Sequence, residues 1–423
     1  MTGEGEPGDG GARAERRARW ALLALILLLP VVYLPRVLSG AAPEPLAPRP
    51  AWVQLVVVTA SRWPDLDGAA RHPAFDRLER RGTRARQAYT TTLVPAGAAA
   101  SLWTGRWASA HGVLAPDRAL APGSWTMARA AREAGARTVA FLQEPFATAT
   151  GIAGFEKVRE SPDAAPSVLA ADAATFLARH ADERTLVWIH LADAGPGGAD
   201  VGAVLDVLNT AREDPDDATG RRFDTLTLVT GFGTDVPDDG EPGGIGEPGE
   251  PGEPGEIGDL GDDRAYRTPL WAVLPAALYA GRSGEGSVSL VDVAGVLCEL
   301  MRLPRPDESR GERPIQSYTL NLEHALKGGG GFEWLLLHER DREILRFGRM
   351  RVVATGEPPW EDREPRVDAA PDPTADRGFV PGPAGVRAEQ IAQWRELSRQ
   401  AREDAAESVP TEVPEAWRGR PGW

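Results

Sequence analysis

Hydrophobic residues along the chain fall into two kinds of run. Short continuous runs rich in β-branched residues occupy Trp52–Thr59, Arg137–Leu142, Thr185–His190, Asp224–Thr230 and Pro269–Leu274. They lack apolar/polar alternation, as expected of strands buried on both faces of a parallel sheet. Between them lie segments with apolar residues at helical spacing: Pro73–Gly82, Ser124–Gly135 with Ser124 as its N-cap, Ser167–His180, Ala203–Arg212 and Leu290–Leu303. Strands alternating with helices predict an α/β fold, with a mostly parallel central sheet and helices on both faces. After about Pro306 the pattern changes. Phe332–His338, Glu343–Arg346 and Met350–Ala354 read as antiparallel strands of a small C-terminal subdomain spanning 307–360. Residues 361–423 are rich in proline and charge and read as an irregular tail, with an exposed amphipathic helix at Val386–Glu407.

The N-terminus reads differently. Residues 1–19 are polar, with Arg13, Arg16, Arg17 and Arg19 ahead of the apolar run Trp20–Pro35. Arginines before an apolar run stay cytoplasmic and place the chain beyond that run outside. Residues 20–38 are therefore expected to form a transmembrane signal-anchor, residues 39–50 a Pro/Ala-rich linker, and residues 51–306 an extracytoplasmic domain. A cleaved signal peptide with Ser39-Gly40-Ala41 as its site is the alternative, because a span usually needs ~20 apolar residues. Residues 240–262 interrupt the domain with glycine at every third position, from Gly240 to Gly261. That is the collagen period, but short acidic triplets give little to hold three chains together, so the segment reads as a flexible acidic loop.

Composition narrows the partners. The 423 residues are 42% hydrophobic, enough to bury a sizeable core, and carry a formal net charge of −15. A general nucleic-acid binder needs a basic stripe to displace counterions, so this class is excluded, and the acidic body is not expected to adhere to anionic lipid. The expected contact with a membrane is the N-terminal helix, and a protein or glycan partner stays open. Cys298 is the single cysteine and lies in an apolar helical stretch, which predicts a buried thiol and no intramolecular disulfide.

Several motifs, taken in order, resemble the sulfatase family of the alkaline phosphatase superfamily. They are Val56-Val-Val-Thr59 with Arg62 and Leu66, Pro73-Ala-Phe-Asp-Arg-Leu78, Ala100-Ser-Leu-Trp-Thr-Gly105, Ser109-Ala-His-Gly-Val113, Ala134-Gly-Ala-Arg-Thr-Val-Ala-Phe141, Trp188-Ile-His-Leu-Ala-Asp193, Arg267-Thr-Pro-Leu270 and Ser289-Leu-Val-Asp292. The resemblance covers about residues 52–360 and implies that family's fold. It also implies a divalent cation, calcium or similar, bound by carboxylates beside a nucleophile at the carboxyl edge of the sheet.

The family's cation ligands and nucleophile are missing at the matching positions. Where the family has an Asp at the end of the first strand, this chain has Thr59 and Ala60; its nucleophile position is Pro95, and its Asp-His pair is Phe232-Gly233. A hard cation needs carboxylate oxygens, and an attacking group must sit beside its activator. The remaining candidates are Thr92 as a displaced nucleophile and Asp65, His190, Asp193 and Asp235 as displaced ligands. His190 also reads as a satisfied core histidine, Asp65 and Asp193 as turn residues, and His111 as a support for the nucleophile loop. The expectation is a non-catalytic, sulfatase-like protein with a binding or scaffolding role and no cofactor. The alternative is a divergent sulfuric or phosphoric ester hydrolase with a displaced metal site.

Overall fold

A computed structural model describes residues 54–64, 71–115, 117–144, 154–212, 225–233, 263–274, 279–307, 334–338, 342–347, 350–355, 365–369, 380–381, 391–392, 394–399 and 409–410. The expected anchor (20–38), the linker (39–50), the glycine-repeat insertion (240–262), Asp65 and Asp235 lie outside the described residues. Among the described residues no helix is long and apolar enough to cross a membrane.

In chain order the elements are β1 (Gln54–Arg62), α1 (Pro73–Arg81), β2 (Thr83–Tyr89), α2 (Pro95–Thr104), α3 (Ala108–His111), β3 (Arg118–Ala119), α4 (Met127–Glu133), β4 (Arg137–Leu142), β5 (Lys157–Glu160), α5 (Pro166–Arg179), β6 (Thr185–Asp193), α6 (Ala199–Arg212), β7 (Thr225–Gly231), β8 (Arg267–Val273), β9 (Arg282–Ser289) and α7 (Val291–Met301). Beyond them lie β10 (Trp334–His338), β11 (Arg342–Phe347), β12 (Met350–Thr355), β13 (Arg366–Ala369), β14 (Val380–Pro381) and β15 (Val409–Pro410).

Eight strands form the central sheet in the order β5-β4-β6-β1-β7-β8-β2-β9. From β5 to β7 every pairing is parallel, β8 runs antiparallel to both β7 and β2, and β9 returns parallel to β2. Successive side chains of each strand point alternately toward two cores. Leu55 and Val57 of β1 face one core with Leu186, Trp188, Leu226 and Leu228, where α2, α4 and α7 pack. Val56, Val58 and Ala60 face the other with Val187, Ile189 and Val229, where α1, α5 and α6 pack. This two-sided burial is why the strands read as continuous apolar runs. Cys298 is buried on α7, as its apolar setting implies.

Sequence pattern and structure differ where local signals are weak. Helix α4 is capped by Thr126, whose hydroxyl accepts from Arg129 N–H at 3.2 Å; Ser124 instead donates to Ala121 C=O in the preceding turn. Helix α2 shows no periodicity because every residue from Pro95 to Thr104 is buried. Small residues are needed there: a Cβ on Gly97 would lie 2.3 Å from the Val113 carbonyl oxygen. Strands β2 and β9 are too polar to stand out as hydrophobic runs.

The second sheet, β10-β11-β12-β13-β14, is antiparallel as expected, and it extends through residues read as irregular tail. The expected exposed helix at 386–407 is also corrected. Among its described residues, 391–392 and 394–399 are helical, and Trp394 is fully buried, its Nε1–H donating to Glu343 at 2.8 Å. Trp394 packs with Leu336, Leu345 and Val352 of the sheet and with Trp107.

Candidate functional site

In open α/β sheets the ligand crevice lies outside the carboxyl ends of the strands. Strand register brings Thr59 of β1 level with His190 of β6 and Thr230 of β7, and His190 level with Leu142 of β4. Alternation aims Thr59 and Ser61 to the same side of the sheet as Trp188 and His190.

Here a buried polar network forms. Trp188 Nε1–H donates to Thr59 Oγ1 at 2.7 Å, and that oxygen lies 2.7 Å from His190 Nδ1. The other ring nitrogen, Nε2, lies 2.9 Å from Glu144 Oε2 and 3.2 Å from Ser61 Oγ. The Ser61 hydroxyl donates to the same Glu144 oxygen. One proton arrangement gives all of these groups a partner. Trp188 donates to Thr59, Thr59 to His190 Nδ1, and both His190 Nε2–H and the Ser61 hydroxyl to the Glu144 carboxylate. The ring is then neutral. Burial, with Glu144 opposing it, holds the imidazole below its ordinary pKa, which agrees with this arrangement.

An aromatic residue covers the network. Phe232 stacks on His190 with ring centroids 5.3 Å apart and planes 22° apart. Its backbone N–H donates to Ala60 C=O at 3.0 Å, and Trp63 N–H donates to Gly233 C=O at 3.2 Å, which joins the segments at the ends of β1 and β7. Gly231 leaves room for the Trp63 ring, since a Cβ there would lie 2.0 Å from Trp63 Cδ1. At the carboxyl ends of β1 and β7 the Phe232 ring occupies the space over His190, and the Trp63 ring the space beside Gly231.

The expected site residues separate into those within this network and those outside it. Thr59 is a hydrogen-bonding hydroxyl, Ala60 faces the opposite core, and Phe232 is the cover over His190. Pro95 is a buried first residue of α2, and the Thr92 hydroxyl accepts from Val94 N–H at 3.2 Å just ahead of that helix. Asp193 turns outward, 3.2 Å from Arg62 and 2.8 Å from Gly195 N–H. His111 supports α2: Val113 N–H donates to its Nδ1 at 3.1 Å, and its Nε2–H donates to Ser101 Oγ at 2.9 Å. Burial, then the charges of Arg106 and His338, holds His111 well below its ordinary pKa.

A divalent cation does not fit this donor set. Among the described residues no group of three or more His, Cys, Asp or Glu side chains could hold a metal ion. Among the described residues the network has one carboxylate, Glu144, and one imidazole, His190, and they are bonded to each other. Thr230 Oγ1 is buried with no hydrogen-bond partner among the described residues, but a neutral hydroxyl is a poor sole anchor for a hard cation.

No family model matches the sequence, and no curated protein matches it. Solved structures do. A protein of the alkaline phosphatase superfamily from Vibrio parahaemolyticus superposes with a TM-score of 0.59 at 13% identity, over 85% of this chain and 90% of its own. The fold is that of the alkaline phosphatase superfamily. A sulfatase from Pseudoalteromonas sp. matches with a TM-score of 0.58 at 12% identity, over 85% of this chain and 92% of its own. The phosphonate monoester hydrolase of Agrobacterium radiobacter matches with a TM-score of 0.57 at 15% identity, over 85% of this chain and all of its own. The network lies at the carboxyl edge of the central sheet.

Ser61, Glu144 and Trp188 were not singled out by sequence reasoning. Glu144 had one usable signal: it is an acidic residue two positions past the end of a buried strand, where parallel sheets build their sites. Ser61 has none and Trp188 only its place at the head of the Trp188–Asp193 motif, because their bonds depend on strand pairing.

Proposed function

We propose that this chain is a membrane-anchored, extracytoplasmic, sulfatase-like protein that binds or scaffolds without turning over an ester. The observation that carries this reading is the content of the carboxyl edge. Thr59 and Ala60 lie near the end of β1, Phe232 and Gly233 come directly after β7, and Phe232 lies stacked on His190 where a substrate crevice is expected. Pro95 at the matching nucleophile position offers no attacking atom. The anchor is supported by the N-terminal charge asymmetry.

One observation favours the alternative, a divergent ester hydrolase. The Ser61 hydroxyl sits against both a carboxylate and an imidazole, and such neighbours activate a nucleophile. Its geometry argues otherwise, since Glu144 and Ser61 share one ring nitrogen and a hydroxyl, that of Thr59, meets the other.

The test is turnover of 4-nitrophenyl sulfate, 4-nitrophenyl phosphate and a phenylphosphonate monoester by the full chain, with calcium, magnesium, manganese or zinc. The expected result is no hydrolysis above buffer. Cation-dependent turnover overturns the proposal, and turnover that is lost in Ser61→Ala assigns the chemistry to the alternative.

A further inference from the structure

The segments that meet at the carboxyl edge come from distant parts of the chain, and side chains fasten them. Ser61 lies near the end of β1, Glu144 just past β4, and Trp188 and His190 of β6 each bond the Thr59 hydroxyl of β1. Ser61 and Glu144 are 83 residues apart in sequence, and Thr59 and His190 are 131 apart. All of the polar members are buried, with Glu144 at 3% exposure and His190 at 0%. In such surroundings each hydrogen bond is electrostatically stronger than in water, and an unpaired member is costly.

We infer that the Glu144–His190 pair, with Ser61 and Thr59, fastens the carboxyl ends of β1, β4 and β6 to one another without a cation. The inference rests on the proposed absence of cation chemistry and deepens it. Two donors from different strands, the Ser61 hydroxyl and His190 Nε2–H, converge on the Glu144 carboxylate. Phe232 excludes water from one face of the ring, as a closed metal site excludes it from its ligands. The fastening is internal to the chain, so it needs no cation to form.

The test is thermal unfolding of the full chain as wild type, Glu144→Leu, His190→Leu and the double variant, each with millimolar calcium, magnesium or zinc and with EDTA. Each single variant strands a buried partner, and the expected fall in Tm is several degrees. The double variant is expected to fall by clearly less than the two single losses added together, because it leaves neither the buried carboxylate nor the buried imidazole without the other. Cations and EDTA are expected to leave the wild-type Tm unchanged. Additive losses overturn the inference, because they show no coupling between the two residues. A cation-induced rise in wild-type Tm that is lost in Glu144→Leu also overturns it, because it makes the pair metal ligands. If the leucine variants do not fold, Glu144→Gln and His190→Gln complete the same cycle with smaller changes in shape. Ester turnover, the failure mode of the non-catalytic reading, is a separate readout that this cycle does not touch.

Discussion

Truncation of Phe232 to alanine tests whether the crevice is closed by packing. The side chain is 1% exposed, belongs to the core between the sheet and α2, α4 and α7, and stacks on His190. Replacing a buried phenylalanine with alanine removes its transfer free energy and leaves a cavity, which together cost about 3–5 kcal/mol. The lost ring contact accounts for ~0.5–1.5 kcal/mol within that range. Phe232→Leu keeps most of the volume and is expected to cost under about 2 kcal/mol. Urea unfolding monitored by tryptophan fluorescence measures both, with the midpoint shifting and the slope unchanged. The pKa supplies a second readout. Burial holds the His190 imidazole low, so opening one ring face to water in Phe232→Ala moves its titration upward toward the ordinary histidine range, visible by NMR. A loss below about 1 kcal/mol in Phe232→Ala, with His190 titration unchanged, refutes the closed-crevice reasoning.

Other predictions concern pH and packing. His111 and His190 are held neutral by burial, so their folded pKa values lie below the unfolded ones. The unfolded chain then binds more protons as pH falls below ~6.5, and stability is lost there by up to about 1.4 kcal/mol per pH unit for each histidine until the folded pKa is reached. Urea midpoints at pH 7.5, 6.5 and 5.5 check the sign, and stability that rises on acidification contradicts it. Ser101→Ala leaves His111 Nε2–H and the Thr91 hydroxyl, 2.6 Å from Ser101 Oγ, without their buried partner, and is expected to cost about 1–3 kcal/mol by the same assay. Gly231→Ala places a Cβ 2.0 Å from the Trp63 ring and is expected to lower stability by about 3 kcal/mol or more, read as a fall in Tm or in soluble yield. Trp394→Phe removes one of the donors to the buried Glu343 carboxylate, leaving His338 at 2.8 Å, and is expected to cost about 1–3 kcal/mol.

The sequence by itself determined five strands of the central sheet (β1, β4, β6, β7 and β8), the five helices α1, α4, α5, α6 and α7, and the two-sided burial of those strands. Val56–Val58 and Val187–Ile189 show this plainly, because a strand covered by helices on both faces has only apolar positions. It also determined that Thr59, Ala60, Phe232 and Gly233 bring no carboxylate to the edge, since residue type decides charge in any fold. Local signals failed where burial erased periodicity, as in α2, or where a turn hydroxyl two residues away competed for the cap, as with Ser124 and Thr126. Tertiary structure alone decided the rest. Glu144 meets Ser61 and His190 because β4, β6 and β1 are neighbours in register. Trp394 becomes a core residue because it reaches Glu343 across the second sheet. Periodicity reports which face of its own element a residue occupies; which distant side chain waits on that face is set by strand pairing, and no local pattern records it.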